Sequence, residues 1–141
     1  MILYLDTSAL VKLYVRERGS AQTRTHAGKA RALATSVVAY AECRAAFTRL
    51  RRERPGTDSR HRKRVLQLDQ DWKQYLRVEL TPTVVQSSGE LAERHGLRGF
   101  DAIHLACALW LDSAYSGEVK FLAYDKNLTA GALSAGLPLA G

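Results

Sequence analysis

MILYLDTSALVKLY, residues 1–14, sets an unbroken apolar run directly against a carboxylate. Ile2 to Leu5 have no polar interruption, as expected of a strand buried on both faces. Asp6 follows at once, and a helical pattern then runs from Ser8 to about Val15, with Thr7 read as its N-cap. The same sequence of strand, acid and helix returns near the end of the chain. VKFLAY (119–124) reads as a strand, and Asp125 opens a helix to about residue 134. Between these two units, ALAT (32–35) and RVEL (77–80) read as short strands. A short polar helix is expected over 20–29. Ser36 is read as the cap of a long helix over about 37–53, and PGTDS breaks it. A second long helix over about 59–76 carries Val65, Leu66, Leu68, Trp72, Tyr75 and Leu76 as its apolar stripe. Pro82 lies near the start of a helix over about 83–95, which Gly96 ends. GFDAIHLACALWL (99–111) is apolar nearly all round and reads as a buried helix. LPLA (137–140) adds a candidate edge strand. Strands alternating with helices imply right-handed crossovers. The expected architecture is therefore a three-layer α/β/α fold, residues 1–141 forming one domain around a central, mainly parallel sheet of four to five strands.

In such sheets, sites form at the carboxyl ends of the strands. Asp6 and Asp125 each end a strand. Glu42 lies early in the helix after the second strand, and Asp101 stands at the start of the apolar helix. If the strands are parallel, all four acids can meet on one sheet edge. Each also has a plainer reading: Asp6 and Asp125 as helix caps, Glu42 as an arginine's partner. Asp101 is harder to place, because Asp is rarely buried without a partner. Four carboxylates about 5 Å apart repel by roughly 3 kcal/mol per pair at an effective dielectric of 20, so the cluster calls for a cation or for protons. Oxygen ligands without a His or Cys cluster suit Mg²⁺ or Mn²⁺ rather than Zn²⁺. A carboxylate-held divalent ion suits phosphodiester hydrolysis.

The charge distribution points the same way. The chain of 141 residues has a formal net charge of +7. Residues 44–64, RAAFTRLRRERPGTDSRHRKR, hold nine Arg or Lys against Glu53 and Asp58, so the whole excess sits there. The two long helices form a basic helical hairpin over about 37–76. It would project Arg51, Arg52, Arg54, Arg60, Arg62, Lys63 and Arg64 toward a polyanion; the plainer reading is a solvated, arginine-rich surface. No apolar run approaches the ~20 residues that span a bilayer. The N-terminus lacks the pattern of a signal peptide. Cys43 and Cys107 form no CxxC pair and are expected to be reduced core thiols in a cytoplasmic protein.

Four segments resemble, in order, the acidic motifs of PIN-domain ribonucleases: YLDTSALVKLY, SVVAYAECRAAF, GFDAIHLACAL and FLAYDKNL. The likeness is strongest to VapC-type toxins of toxin–antitoxin pairs and covers almost the whole chain. It implies a PIN-like fold, a Mg²⁺- or Mn²⁺-dependent endoribonuclease, an RNA substrate, homodimers and an antitoxin partner. The implied acidic set, catalytic and metal-binding, is Asp6, Glu42, Asp101 and Asp125. Ser8, and Thr7 beside it, stand as auxiliary residues; Ser8 matches a small polar position next to the first acid. The pattern departs at Ala123, where members often carry a hydroxyl. His104, one turn after Asp101, reads either as support to the site or as a packing histidine. Lys12 reads as a surface residue, and Asp69, Asp71, Glu90, Glu93 and Asp112 as solvated. Trp110 and Tyr14 belong to a core or to a dimer interface. A dehalogenase-type phosphatase would need a second Asp where Ser8 stands, and no phosphate-cradling glycine loop is present. A metal-dependent endoribonuclease acting as a toxin and a catalytically weak RNA-binding module on the same fold remain. The presence of all four acids favours the first.

Overall fold

The computed structural model describes residues 1–141. The elements run β1 (Ile2–Leu5), α1 (Thr7–Val11), α2 (Ser20–Lys29), β2 (Ala32–Ser36), α3 (Ala39–Glu53), α4 (Asp58–Trp72), β3 (Leu76–Val78), α5 (Pro82–His95), α6 (Gly99–Ala114), β4 (Val119–Leu122) and α7 (Lys126–Ser134). Four strands form one parallel sheet in the order β3-β2-β1-β4. Ile2 sits in register with Ala32 on one side and Val119 on the other. The expected fifth strand shrinks to a single parallel bridge between Phe121 and Leu139. Pro138 limits pairing here, since it has no N–H to donate; its carbonyl accepts from the Phe121 amide at 2.9 Å.

β1 is buried throughout and divides its side chains by the period of two. Ile2 and Tyr4 join a core with Leu91 of α5, Leu105 of α6, Phe121 and Leu128 of α7. Leu3 and Leu5 join the opposite core, with Leu10 of α1, Cys43 and Phe47 of α3 and Leu68 of α4. These two cores are the two interfaces of an α/β/α sandwich. Tyr4 stacks on Phe121 with ring centroids 5.6 Å apart. Cys43 and Cys107 are buried free thiols, one in each core. No helix is long and apolar enough to cross a membrane.

Strand order places the site. From β1 the chain moves outward through β2 to β3, then returns to lay β4 on the other side of β1. The reversal falls between β1 and β4, and clefts open at the carboxyl ends of strands at such a switch point. Asp6 and Asp125 follow those two strands.

Several boundaries differ from expectation for local reasons. α4 ends at Trp72, and Leu76 belongs to β3. The apolar stripe simply continues through the turn, and Leu66 within it is 60% exposed. α3 begins at Ala39 rather than at 37; Ser36 closes β2, and its hydroxyl accepts from the Val38 amide at 3.3 Å. α5 starts with Pro82 under a Thr81 cap and ends at Gly96 with φ 63°, as the sequence indicates. α6 buries its middle, Ala102 and His104 to Ala108, together with Leu111, but its two ends are open and Phe100 and Trp110 are exposed, so it is not the fully buried helix that its composition suggests. Tyr14 belongs to the protein's own interior: its ring meets Phe47 edge-on, and its hydroxyl donates to Asp71. Asp69 likewise accepts from Tyr40, so these two acids tie α4 to its neighbours rather than standing free in solvent.

Candidate active site

Asp6 caps α1. Its backbone is extended and its Oδ1 accepts from the Ala9 amide at 2.9 Å. Ser8 Oγ donates to both carboxylate oxygens, at 2.8 and 3.0 Å. Thr7 is therefore the first helical residue and not the cap. Asp125 caps α7 in the same way, its Oδ1 accepting from Leu128 N at 2.9 Å. Capping and site membership are compatible for Asp125, because the cap occupies Oδ1 and leaves Oδ2 for other partners.

Glu42 lies in the first turn of α3, within reach of Thr7 of α1 and His104 of α6. Thr7 Oγ1 donates to its Oε1 at 2.5 Å, and His104 Nε2 stands 3.1 Å from the same oxygen. His104 Nδ1 is 2.9 Å from the Tyr4 hydroxyl. With Tyr4 donating, the imidazole tautomer protonated at Nε2 donates to Glu42. Both readings of His104 thus hold together: it is buried between sheet and helix, and it is the tie that fixes an acid of the site.

The environments of these acids differ. Burial pushes the Asp6 carboxyl up; His104, the Ala9 amide and the Ser8 hydroxyl oppose this, and the charge of Asp101 adds to it. Burial also raises Glu42, but hydrogen bonds from His104 and Thr7 outweigh it and hold the carboxyl below the ordinary value. Arg98 Nε donates to Asp101 Oδ2 at 3.1 Å, and the same guanidinium lies 3.8 Å from Asp125 Oδ2. The hydrogen bond to Asp101, with the charges of Asp101 and Asp125, raises the pKa of Arg98.

All four acids line one cavity of about 740 Å³. Thr7, Ser8 and His104 line it with them, as do Ala46, Arg49, Leu50 and Glu53 of α3, and Lys12, Glu17, Arg98 and Tyr124. Lys12 is not a free surface residue: it pairs with Glu17 at 3.0 Å and lies over the Tyr124 ring. The donor chemistry fits a hard divalent cation, since carboxylate and hydroxyl oxygens are its usual ligands. As the side chains stand, no three His, Cys, Asp or Glu groups converge tightly enough to enclose an ion. The reason is visible in the contacts: Glu42 is drawn to Thr7 and His104, while Asp101 and Asp125 turn to Arg98.

The cationic tip of the basic hairpin stands apart from the cavity, although α3 lines it through Glu42, Ala46, Arg49, Leu50 and Glu53. Arg51, Arg52, Arg54, Arg60, Arg62 and Lys63 are exposed, Arg64 is half-buried, and none lines the cavity or forms an ion pair. Burial, then the nearby charges of Arg60 and Arg54, lower the Arg64 pKa, the mark of positive charge without acidic partners. Sequence reasoning missed Arg98, Arg49 and Lys12 at the cavity. Arg98 carried one legible signal, its position three residues before Asp101 at a helix start.

A family model described as PIN domain matches residues 3–132. Two proteins of Mycobacterium tuberculosis, Ribonuclease VapC45 (strain CDC 1551 / Oshkosh) and Ribonuclease VapC49 (strain H37Rv), are each 36% identical over 143 residues, covering 99% of this chain and 94% of theirs. The chain belongs to the PIN-domain family, among its VapC-type ribonucleases. Solved structures share the fold. A toxin–antitoxin complex from Klebsiella pneumoniae aligns with a TM-score of 0.67 at 16% identity, over 92% of this chain and 91% of that one. VapC20 of M. tuberculosis, described as a sarcin-ricin loop cleaving toxin, aligns at 0.64 and 18% identity, over 96% and 95%.

Proposed function

We propose that the chain is a Mg²⁺- or Mn²⁺-dependent endoribonuclease, the toxin of a toxin–antitoxin pair, working in the cytoplasm as a homodimer. The observation that carries this is the meeting of Asp6, Glu42, Asp101 and Asp125 in one cavity at the sheet's switch point. The names of its relatives support the RNA substrate and the antitoxin partner.

Asp6, Asp101 and Asp125 would hold the ion, with Ser8 fixing the Asp6 carboxylate. The bound ion supplies Lewis acidity to the scissile phosphate and lowers the pKa of water. Glu42, kept ionised by His104 and Thr7, accepts a hydrogen bond from the attacking water and aligns it. Water attack leaves 5′-phosphate and 3′-hydroxyl ends. Ala123 offers no hydroxyl, so Asp125 would hold the ion through its carboxylate alone.

The hairpin arginines are assigned to the RNA backbone, because their charge is unneutralised and exposed. If about four meet phosphates of a single strand, log affinity falls with log salt at a slope near −3. Replacing Arg60, Arg62 and Arg64 with Ala should flatten that slope and leave the melting temperature within a few degrees of the parent. Fluorescence anisotropy of a labelled single-stranded RNA across a salt series measures this. An unchanged slope returns the hairpin to a solvated surface.

A further inference from the structure

Arg98 touches two acids of the site. It stands at the N-cap of α6 with its side chain 79% exposed, 3.1 Å from Asp101 Oδ2 and 3.8 Å from Asp125 Oδ2. The other cations lining the cavity make no such contact: Lys12 is paired with Glu17, and Arg49 forms no ion pair. Arg98 thus takes the place between two carboxylates that a cation shared by them would need.

We propose that Arg98 is the built-in counter-ion of the metal-free site, which a divalent cation displaces from Asp101 and Asp125, and that the freed guanidinium then binds a phosphate of the RNA at the cavity mouth. The inference rests on the ribonuclease reading. Three observations carry it. A guanidinium presents five donors in a planar fork suited equally to carboxylate and phosphate, so one group can serve both partners in turn. The side chain is mostly in solvent, and leaving its acids displaces nothing in the core. Arg98 comes from the sheet face that carries α6, and Arg49 from the opposite face that carries α3, so a strand entering the cavity meets a cation from each layer. Arg98 is therefore both a competitor of the ion and a binder of the substrate, and its removal should move the two properties in opposite directions.

The test uses full-length, chelator-stripped protein as parent, Arg98→Gln and Arg49→Gln. Titration calorimetry with Mn²⁺ alone reads ion affinity. Steady-state cleavage of a single-stranded RNA at saturating Mn²⁺ reads the phosphate contact. Arg98→Gln is expected to bind Mn²⁺ about fivefold tighter or more, the size of an ordinary coupling between two competing ligands. Its kcat/KM should fall at least about tenfold, a drop matching one lost charged hydrogen bond. Arg49→Gln removes the same charge from the same cavity without touching an acid; its Mn²⁺ affinity should stay within about twofold of the parent, the margin left to screened long-range charge. Mn²⁺ affinity that is unchanged or weaker in Arg98→Gln, or a gain equalled by Arg49→Gln, overturns the counter-ion role. Tighter Mn²⁺ binding with unaltered kcat/KM overturns the phosphate role. A parent that neither binds Mn²⁺ nor cuts RNA instead defeats the ribonuclease reading on which the proposal stands.

Discussion

Asp101→Asn should reduce RNA cleavage by more than about a hundredfold, the upper range for losing even an outer partner of a metal site. The substitution keeps the size of the side chain and its ability to accept from Arg98, while removing one negative charge. The fold should survive. Asp101's charge contributes to the unfavourable environment of the buried Asp6 carboxylate, so its removal relaxes the metal-free protein. The melting temperature without metal should equal or exceed that of the parent, and the gain on adding Mg²⁺ should shrink, because stabilisation by a ligand scales with the ratio of its concentration to its dissociation constant. Calorimetric melting with and without Mg²⁺, beside one cleavage assay, checks all three. A variant that cuts RNA at the parental rate would remove Asp101 from the site.

His104→Leu should produce the opposite balance, with a large loss of stability. The residue is 2% exposed and bonds in two directions, to Tyr4 and to the Thr7–Glu42 pair. Leucine fills much of the volume but leaves the buried Tyr4 hydroxyl without this partner and takes a donor from Glu42. The expected cost is about 2–4 kcal/mol. For a domain of this size that lowers the melting temperature by roughly 10 °C. The effect should depend on pH with a definite sign. Glu42 is held below its ordinary value, so its contribution is present above the unfolded pKa and disappears as pH falls through the folded one. The gap between parent and variant should therefore narrow on acidification through the carboxylate range. Equal melting temperatures at neutral pH would leave His104 as inert packing.

The sequence carried the parts of this structure that depend on local pattern. Ile2–Leu5 run into Asp6, and Val119–Leu122 lead to Asp125, because a buried parallel strand leaves a continuous apolar signature and the helix after it requires a cap. Gly96 and Pro82 marked their helix ends through backbone constraints that act within a residue or two. Leu76 was misplaced because a three-residue edge strand has too few positions to show a period, and it follows Trp72 and Tyr75 in a stripe that suits a helix equally well. Thr7 looked like a cap because Asp and Thr are both good caps and adjacent; only the geometry shows that Asp6 takes the Ala9 amide and leaves Thr7 for Glu42. The cations were hardest to assign. Lys12, Arg49 and Arg98 face the cavity because of how α1, α3 and α6 meet at one end of the sheet, a relation spread over more than eighty residues of chain. The hairpin arginines declared themselves by density alone, and the structure brings Arg49 to the cavity while keeping those at the hairpin tip outside it.

Water, aligned among these four acids with the help of a divalent ion, is expected to attack the RNA phosphate. Cleavage of a single-stranded RNA in ¹⁸O-labelled water, followed by mass spectrometry of the fragments, tests it most directly. One label is expected in each new 5′-phosphate, with cleavage lost in chelator and restored by Mn²⁺. Fragments ending in an unlabelled 2′,3′-cyclic phosphate, or cleavage that persists undiminished in chelator, would contradict it, because the nucleophile would then be the ribose hydroxyl or the ion would have no part.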